Sequence, residues 1–177
     1  MTNSDQLVLD KKNIDTILVL DFGSQYTQLI ARRIRELDVF SIILPWDISK
    51  ERILEINPTG IILSGGPESV TNKNTPRIPE IIFDLDIPIL GICYGMQTLA
   101  EQFGGQVTAS KTKEFGYASI TLEKASILFS DFDTGSLIDV WMSHGDHVST
   151  LPDQFHLIAS TPSAPIAAMA HSEKPIY

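Results

Sequence analysis

Pro88-Ile89-Leu90-Gly91-Ile92-Cys93-Tyr94-Gly95-Met96-Gln97 is where this chain says most about itself. The run Ile87 to Leu90 is apolar and reads as a buried strand. Tyr94 to Phe103 carries Met96, Leu99, Ala100 and Phe103 at helical spacing. Gly91 and Gly95 flank a turn between the two, and small neighbours allow a strand-to-helix turn tight enough to lift its central side chain out of a sheet. The thiol of Cys93 is thereby predicted at a helix N-terminus, where the dipole and free N–H groups favour thiolate and can hold an oxyanion. A lone cysteine is more often a small buried hydrophobe. The two glycines at a strand–helix junction turn the reading toward a nucleophile.

On either side of this turn, strand and helix patterns alternate. Residues 1 to 15 read as a flexible leader. Thr16 to Leu20 is a β-branched apolar run ending at Asp21-Phe22-Gly23, with Ser24 placed to cap a helix whose stripe is Tyr26, Leu29, Ile30, Ile34 and Leu37. A strand over Val39 to Leu44 follows, then a short helix from Asp47 or Ser49 to near Asn57-Pro58. Gly60 to Leu63 is a third buried strand, leading into Ser64-Gly65-Gly66-Pro67-Glu68-Ser69, and Ile78 to Phe83 continues the alternation. Apolar strands separated by helices imply an α/β fold with a parallel sheet covered on both faces. After Gly104-Gly105 the segments shorten to Tyr117–Leu122, Leu137–Met142, Phe155–Ser160 and Ile166–Ala170, which read as an antiparallel extension. Sites in parallel sheets lie at the carboxyl ends of strands, so Asp21 to Gly23, Ser64 to Ser69 and Cys93 are expected to converge on one crevice.

Composition sets the outer limits. The chain has 177 residues, 43% of them hydrophobic, enough for one domain with a core over residues 16–177. No stretch approaches the ~18 apolar residues of a membrane span, and Met1 to Lys12 has no signal-peptide core, so a cytoplasmic protein without membrane partners is expected. One cysteine forms no intramolecular disulfide and no cysteine cluster, and no metal site is expected. The formal charge of −9 argues against nucleic acid as a partner. Arg32, Arg33 and Arg35 sit beside Glu36 on the first helix and read as a solvated face.

Ser64-Gly65-Gly66-Pro67 follows a strand but lacks the Gly-Lys-Ser/Thr of a P-loop and the Gly-x-Gly-x-x-Gly of a dinucleotide fold. It reads as a tight turn or as an oxyanion loop facing Cys93. Leu63 to Ser69, Gly91 to Gln97 and Met142-Ser143-His144-Gly145-Asp146, in that order, resemble the class I glutamine amidotransferases, and the likeness runs from about Ile17 to Tyr177. Val19 to Glu36 narrows it within that family to one ATP-dependent synthetase of purine biosynthesis.

The resemblance implies a flavodoxin-like sheet, mostly parallel and flanked by helices, with an antiparallel extension. It implies that Cys93 attacks the side-chain amide of glutamine and releases ammonia through a thioester. Gly66 and Tyr94 would supply the oxyanion hole, and Gln97 with the Ser143-His144-Gly145 backbone would hold the amino-acid end of glutamine. ATP and magnesium would belong to a synthetase domain or subunit that these residues do not include, and the full enzyme would be a homodimer. The family's base histidine and its orienting glutamate come just after Lys-Pro-Ile-Tyr, where this sequence stops at Tyr177, so the segment is expected to be C-terminally incomplete and poorly active alone. His144, oriented by Asp146, is an alternative base, although the resemblance gives that turn to substrate binding. His147 reads as a surface residue, and His156 and His171 as solvated or structurally hydrogen-bonded. Two other readings stand beside this one: the glutaminase of another synthetase, such as that for anthranilate or CTP, and a non-catalytic regulatory domain.

Overall fold

The structure is a computed structural model that describes residues 15–177, without the side chains of residues 110–115 and His144. The leader expected over residues 1 to 15 lies outside the described residues, Asp15 excepted.

Four parallel strands form the first sheet: β1 (Thr16–Asp21), β2 (Phe40–Pro45), β3 (Gly60–Leu63) and β4 (Ile89–Gly91), in the order β2-β1-β3-β4. That is the flavodoxin-like order. Leu18, Val19 and Leu20 of β1 and Ile61 and Leu63 of β3 are buried, as central parallel strands require on both faces. A parallel bridge between Ile89 and Ile176 brings the last residues alongside β4, and Gly91 donates its N–H to the Tyr177 carbonyl at 2.8 Å. The backbone at Tyr177 thus runs beside β4 toward the Cys93 end of the sheet.

Helix α1 (Thr27–Arg35) corrects the expected stripe. Its buried residues are Thr27 and Ala31, with Ile30 and Ile34 half-buried, while Tyr26, Leu29 and Leu37 are exposed. The helical period is as expected but the face is turned, because the entry is fixed by polar contacts. Thr27 Oγ1 donates to Asp21 Oδ1 at 2.8 Å and to the Ser24 carbonyl at 3.1 Å, and small side chains seat the helix against β1 and β2. Ser24 accepts from the Tyr26 N–H at 3.1 Å in the preceding turn and does not cap the helix itself. The short α2 (Lys50–Ile56) starts where Ser49 accepts the Arg52 N–H and ends at Asn57 with φ +49°.

The segment expected as a helix over Ile78 to Phe83 is a 3-10 helix, Glu80–Asp84, which buries Ile82. Pro79 at its start lacks an N–H, and the bonds span three residues, Ile82 N–H to the Pro79 carbonyl and Leu85 N–H to the Ile82 carbonyl. Helix α3 (Tyr94–Gln102) buries most of its surface, including Tyr94, Gly95, Gln97, Thr98, Leu99 and Ala100.

The second sheet is antiparallel, β5 (Gln106–Leu122), β6 (Leu137–Thr150), β7 (Phe155–Ser160) and β8 (Ala168–His171), in the order β6-β5-β7-β8. β5 and β6 are far longer than the sequence pattern suggests. Ser143-His144-Gly145-Asp146, expected as a turn, lies within β6. Polar small residues mimic a turn in sequence, but Ser143, His144 and Asp146 pair with Phe115, Glu114 and Ala109 across the ladder. The ladder is irregular at this point: Ala109 faces Asp146, and the next pair is Glu114 with His144, so β5 carries extra residues opposite Gly145. One large core joins the sheets and α3, with Leu18, Leu63, Leu99, Val148, Phe155, Met169 and Ile176 among its members. A smaller core of Ile120, Leu122 and Ala159 lies under β5 and β6.

Candidate active site

Three loops at the carboxyl ends of β1, β3 and β4 meet as the sequence leads one to expect, and Ser64 holds them. Its N–H donates to the Leu20 carbonyl at 3.0 Å, its Oγ accepts the Phe22 N–H at 3.0 Å, and its carbonyl accepts the Gly95 N–H at 3.1 Å. Ser64 is fully buried, so each of these bonds is shielded from water.

The glycines are fixed by close approach. A Cβ at Gly95 would lie 2.3 Å from the Leu63 carbonyl oxygen, and one at Gly66 would lie 2.6 Å from the Phe22 oxygen. At Gly65 a Cβ would stand 3.6 Å from Cys93 Cβ, so the glycine loop faces the cysteine directly. The Tyr94 ring packs on Phe22 with centroids 5.4 Å apart, and its hydroxyl donates to the Pro76 carbonyl at 2.7 Å, which anchors the start of α3.

Cys93 takes φ +54° and ψ −109° at the head of α3, a backbone region that L residues avoid. Its side chain is half-buried and opens on a cavity of about 1100 Å³. The cavity is lined by Gly23 and Ser24 after β1, Gly65 to Pro67 after β3, Cys93 after β4, and residues of α1, α3 and β6. The Cys93 S–H donates to the Ser143 carbonyl at 3.5 Å. Gln97 Nε2 donates to the Asp146 carbonyl at 2.9 Å, which ties β6 to α3 beside the thiol. The N–H groups of Gly66 and Tyr94 are taken up by no carbonyl among the described residues.

The expected thiolate is not what this surrounding favours. Burial pushes the Cys93 thiol up, the Tyr94 N–H pulls it down in part, and the Asp146 carboxylate pushes it up again. Burial outweighs the Tyr94 N–H, so the thiol is held above its ordinary range. An attack by sulfur therefore requires a group that takes its proton.

The other expected site residues fall into place unevenly. Ser143 and Gly145 sit on β6 at its irregular point, and the Ser143 carbonyl reaches Cys93. The His144 backbone pairs with Glu114, and its side chain lies outside the described residues. His147 is not a surface residue: it is half-buried against the cavity, with Nε2 3.5 Å from Thr108 Oγ1 and a buried Nδ1 that has no partner among the described residues. His171 is structural, its Nδ1 accepting the N–H groups of Glu173 and Lys174 and its Nε2 facing Gln154 Oε1, each at 3.0 Å. His156 is half-buried on β7. Trp141 in the cavity wall lay outside every motif, and Asp146, Tyr26 and Met96 lay within motifs but were given no place in the cavity, where the Asp146 carboxylate comes near the sulfur. A strand reading of residues 141–148 would have placed Trp141 and Asp146 there.

A strained cysteine between a glycine loop and a helix N-terminus, on a flavodoxin-like sheet, makes Cys93 the candidate nucleophile of this cavity. Residues 18–177 match the family description "Glutamine amidotransferase class-I", and the chain belongs to that family. Its relatives point further, to a particular enzyme. The chain is 59% identical over 167 residues to the GMP synthase [glutamine-hydrolyzing] of Teredinibacter turnerae and 56% identical over 168 residues to that of Vibrio atlanticus. These alignments cover 91% and 94% of this chain but 32% of each relative, so the chain spans about a third of their length. Among solved structures it is similar to a GMP synthase subunit from Thermoplasma acidophilum, with TM-score 0.78 and 34% identity over 93% of this chain and 82% of that one. A Thermotoga maritima glutamine amidotransferase shares the fold, with TM-score 0.72 and 22% identity over 93% of this chain and 74% of that one.

Proposed function

We propose that this chain is the glutaminase part of a GMP synthase, releasing ammonia from glutamine for the ATP-dependent amination of xanthosine monophosphate. The observation that carries the reading is Cys93, held in a strained conformation with its sulfur on a cavity faced by the Gly65-Gly66 loop.

In this reading the Cys93 sulfur, once deprotonated, adds to the side-chain carbonyl carbon of glutamine. The carbonyl oxygen becomes an oxyanion facing the N–H groups of Gly66 and Tyr94, the latter turning from the sulfur to the oxygen as the adduct forms. Collapse of the adduct breaks the C–N bond, and the nitrogen leaves with a proton as ammonia. Water then cleaves the γ-glutamyl thioester, giving glutamate and the free thiol. The Ser143 to Gly145 backbone and the Oε1 of Gln97, whose Nε2 is already engaged, hold the amino-acid end of the substrate.

Because burial disfavours the Cys93 thiolate, a base that takes the proton matters here. By resemblance it is the histidine that follows Lys-Pro-Ile-Tyr. The parallel course of Pro175 to Tyr177 beside β4 aims the backbone at Cys93, which supports that placement. ATP and magnesium act at the synthetase portion, and homodimerisation belongs to the full enzyme.

The test is selective labelling of Cys93 by an electrophilic glutamine analogue in the complete synthetase, where the base is present. Modification of Cys93 that glutamine suppresses is expected. A thiol that stays inert to the analogue, or is labelled equally with glutamine present, would overturn the reading in favour of a regulatory domain.

A further inference from the structure

From Gly66 to Ile78 the chain has neither helix nor strand, and the one backbone–backbone bond described within it runs from the Asn72 N–H to the Ser69 carbonyl. Side chains therefore decide where this segment lies. Those that grip its far end come from α3, the helix headed by Cys93.

The Tyr94 ring lies against Gly66, where a Cβ would come within 3.3 Å of the ring Cγ. Its hydroxyl reaches on to the Pro76 carbonyl at 2.7 Å, with the Thr75 side chain beside it. Gln102, at the other end of α3, treats Ile78 as a strand neighbour would. Its Oε1 accepts the Ile78 N–H at 2.8 Å and its Nε2 donates to the Ile78 carbonyl at 3.0 Å. Thr98 Oγ1 donates to the same Oε1 at 3.2 Å, which fixes the amide. Arg77 pairs with Glu101 between these two grips, but that pair is partly solvated and is the weaker one.

Ile78 is buried, and satisfying its backbone accounts for the Gln102 bonds taken alone. It does not account for every grip closing on the helix that carries the sulfur. The contacts form a closed circuit: the head of α3, the Tyr94 ring, Gly66 and Pro76, then Ile78 and Gln102 back to α3. Stabilising an oxyanion requires both N–H donors to reach one oxygen, and misplacing a group by about 1 Å can cost ~10²-fold in rate.

We propose that the Tyr94 hydroxyl and the Gln102 amide are positioning groups for the hydrolysis, locking the loop that bears the Gly66 N–H to the helix that bears Cys93 and the Tyr94 N–H. The proposal rests on the glutaminase reading and deepens it.

The test uses the complete synthetase carrying Tyr94→Phe, Gln102→Leu or both, with active sites counted by exhaustive labelling of Cys93. In each single variant kcat for glutamine hydrolysis per site is expected to fall at least ~5-fold with KM within ~2-fold, because the donors act on charge that develops after glutamine is bound. The double variant is expected to lose no more than ~2-fold beyond the larger single loss, since both changes release one strap. An unchanged kcat per site, whatever the melting temperature, would make both groups structural only and overturn the proposal. A rise in KM at constant kcat, or losses that multiply in the double variant, would overturn it as well. Should Gln102→Leu not fold, Tyr94→Phe, which keeps the ring against Gly66, decides alone. A parent enzyme that hydrolyses no glutamine would instead strike the glutaminase reading, and the positioning proposal with it.

Discussion

Replacing Cys93 by glycine should leave the fold more stable than replacing it by alanine, the reverse of the usual order. Both substitutions delete the sulfur and its 3.5 Å contact with the Ser143 carbonyl, so their difference isolates the backbone. With φ +54° and ψ −109°, a residue bearing a Cβ is strained by about 1–3 kcal/mol, and glycine is not. Glycine gives back about 0.4–1 kcal/mol through the greater freedom of its unfolded chain. The net advantage of glycine is then roughly 0.5–2 kcal/mol. In urea denaturation, with a slope of about 2 kcal/mol per M, the midpoint of Cys93→Gly should lie ~0.3–1 M above that of Cys93→Ala. Equal slopes would show that both variants expose the same surface on unfolding, so the midpoints report stability. If alanine proves equally or more stable, the strain assigned to this turn is absent.

Other consequences follow from the same geometry. Gly95→Ala would drive a methyl into the Leu63 backbone, at 2.3 Å from its oxygen, and should lower stability by at least ~2 kcal/mol in a denaturant melt; a parent-like melt refutes that approach. Alkylation of Cys93 by a small neutral reagent should rise with pH at a midpoint above that of an ordinary thiol, because burial disfavours the thiolate. Asp146→Asn should shift the midpoint down by removing a like charge, and a shift up refutes that assignment. Burial first, and then the nearby Lys174 charge, hold His171 below its ordinary range, so the folded state binds fewer protons there than the unfolded chain. Stability should accordingly be complete above about pH 6.5 and decline as pH falls from there through the folded-state value. His171→Asn should flatten that decline, with His156, also held down by burial, supplying the remainder; an unchanged slope in thermal melts counts against His171.

The central sheet and its nucleophile were readable because their signals are local. A β-branched run cannot avoid being a strand at Thr16 to Leu20, and Gly91 and Gly95 around Cys93 record a turn where Cβ atoms would collide. The antiparallel half was read less well. Ser143 to Asp146 look like a turn residue by residue, and only pairing with β5, far away in sequence, makes them a strand. The same non-locality hid the turned face of α1, which depends on the Thr27 to Asp21 contact.

Chemical identity was therefore present in the linear order of residues: a thiol, two flanking glycines, and a glycine loop ahead of them. What shifts that thiol away from its ionised form comes only from folding. A helix N-terminus is written in sequence, but the desolvation of the sulfur, and the Asp146 charge delivered from a distant strand, arise only when the chain closes around it. Solvent exclusion is a property of the whole packed volume, and no stretch of residues encodes it by itself.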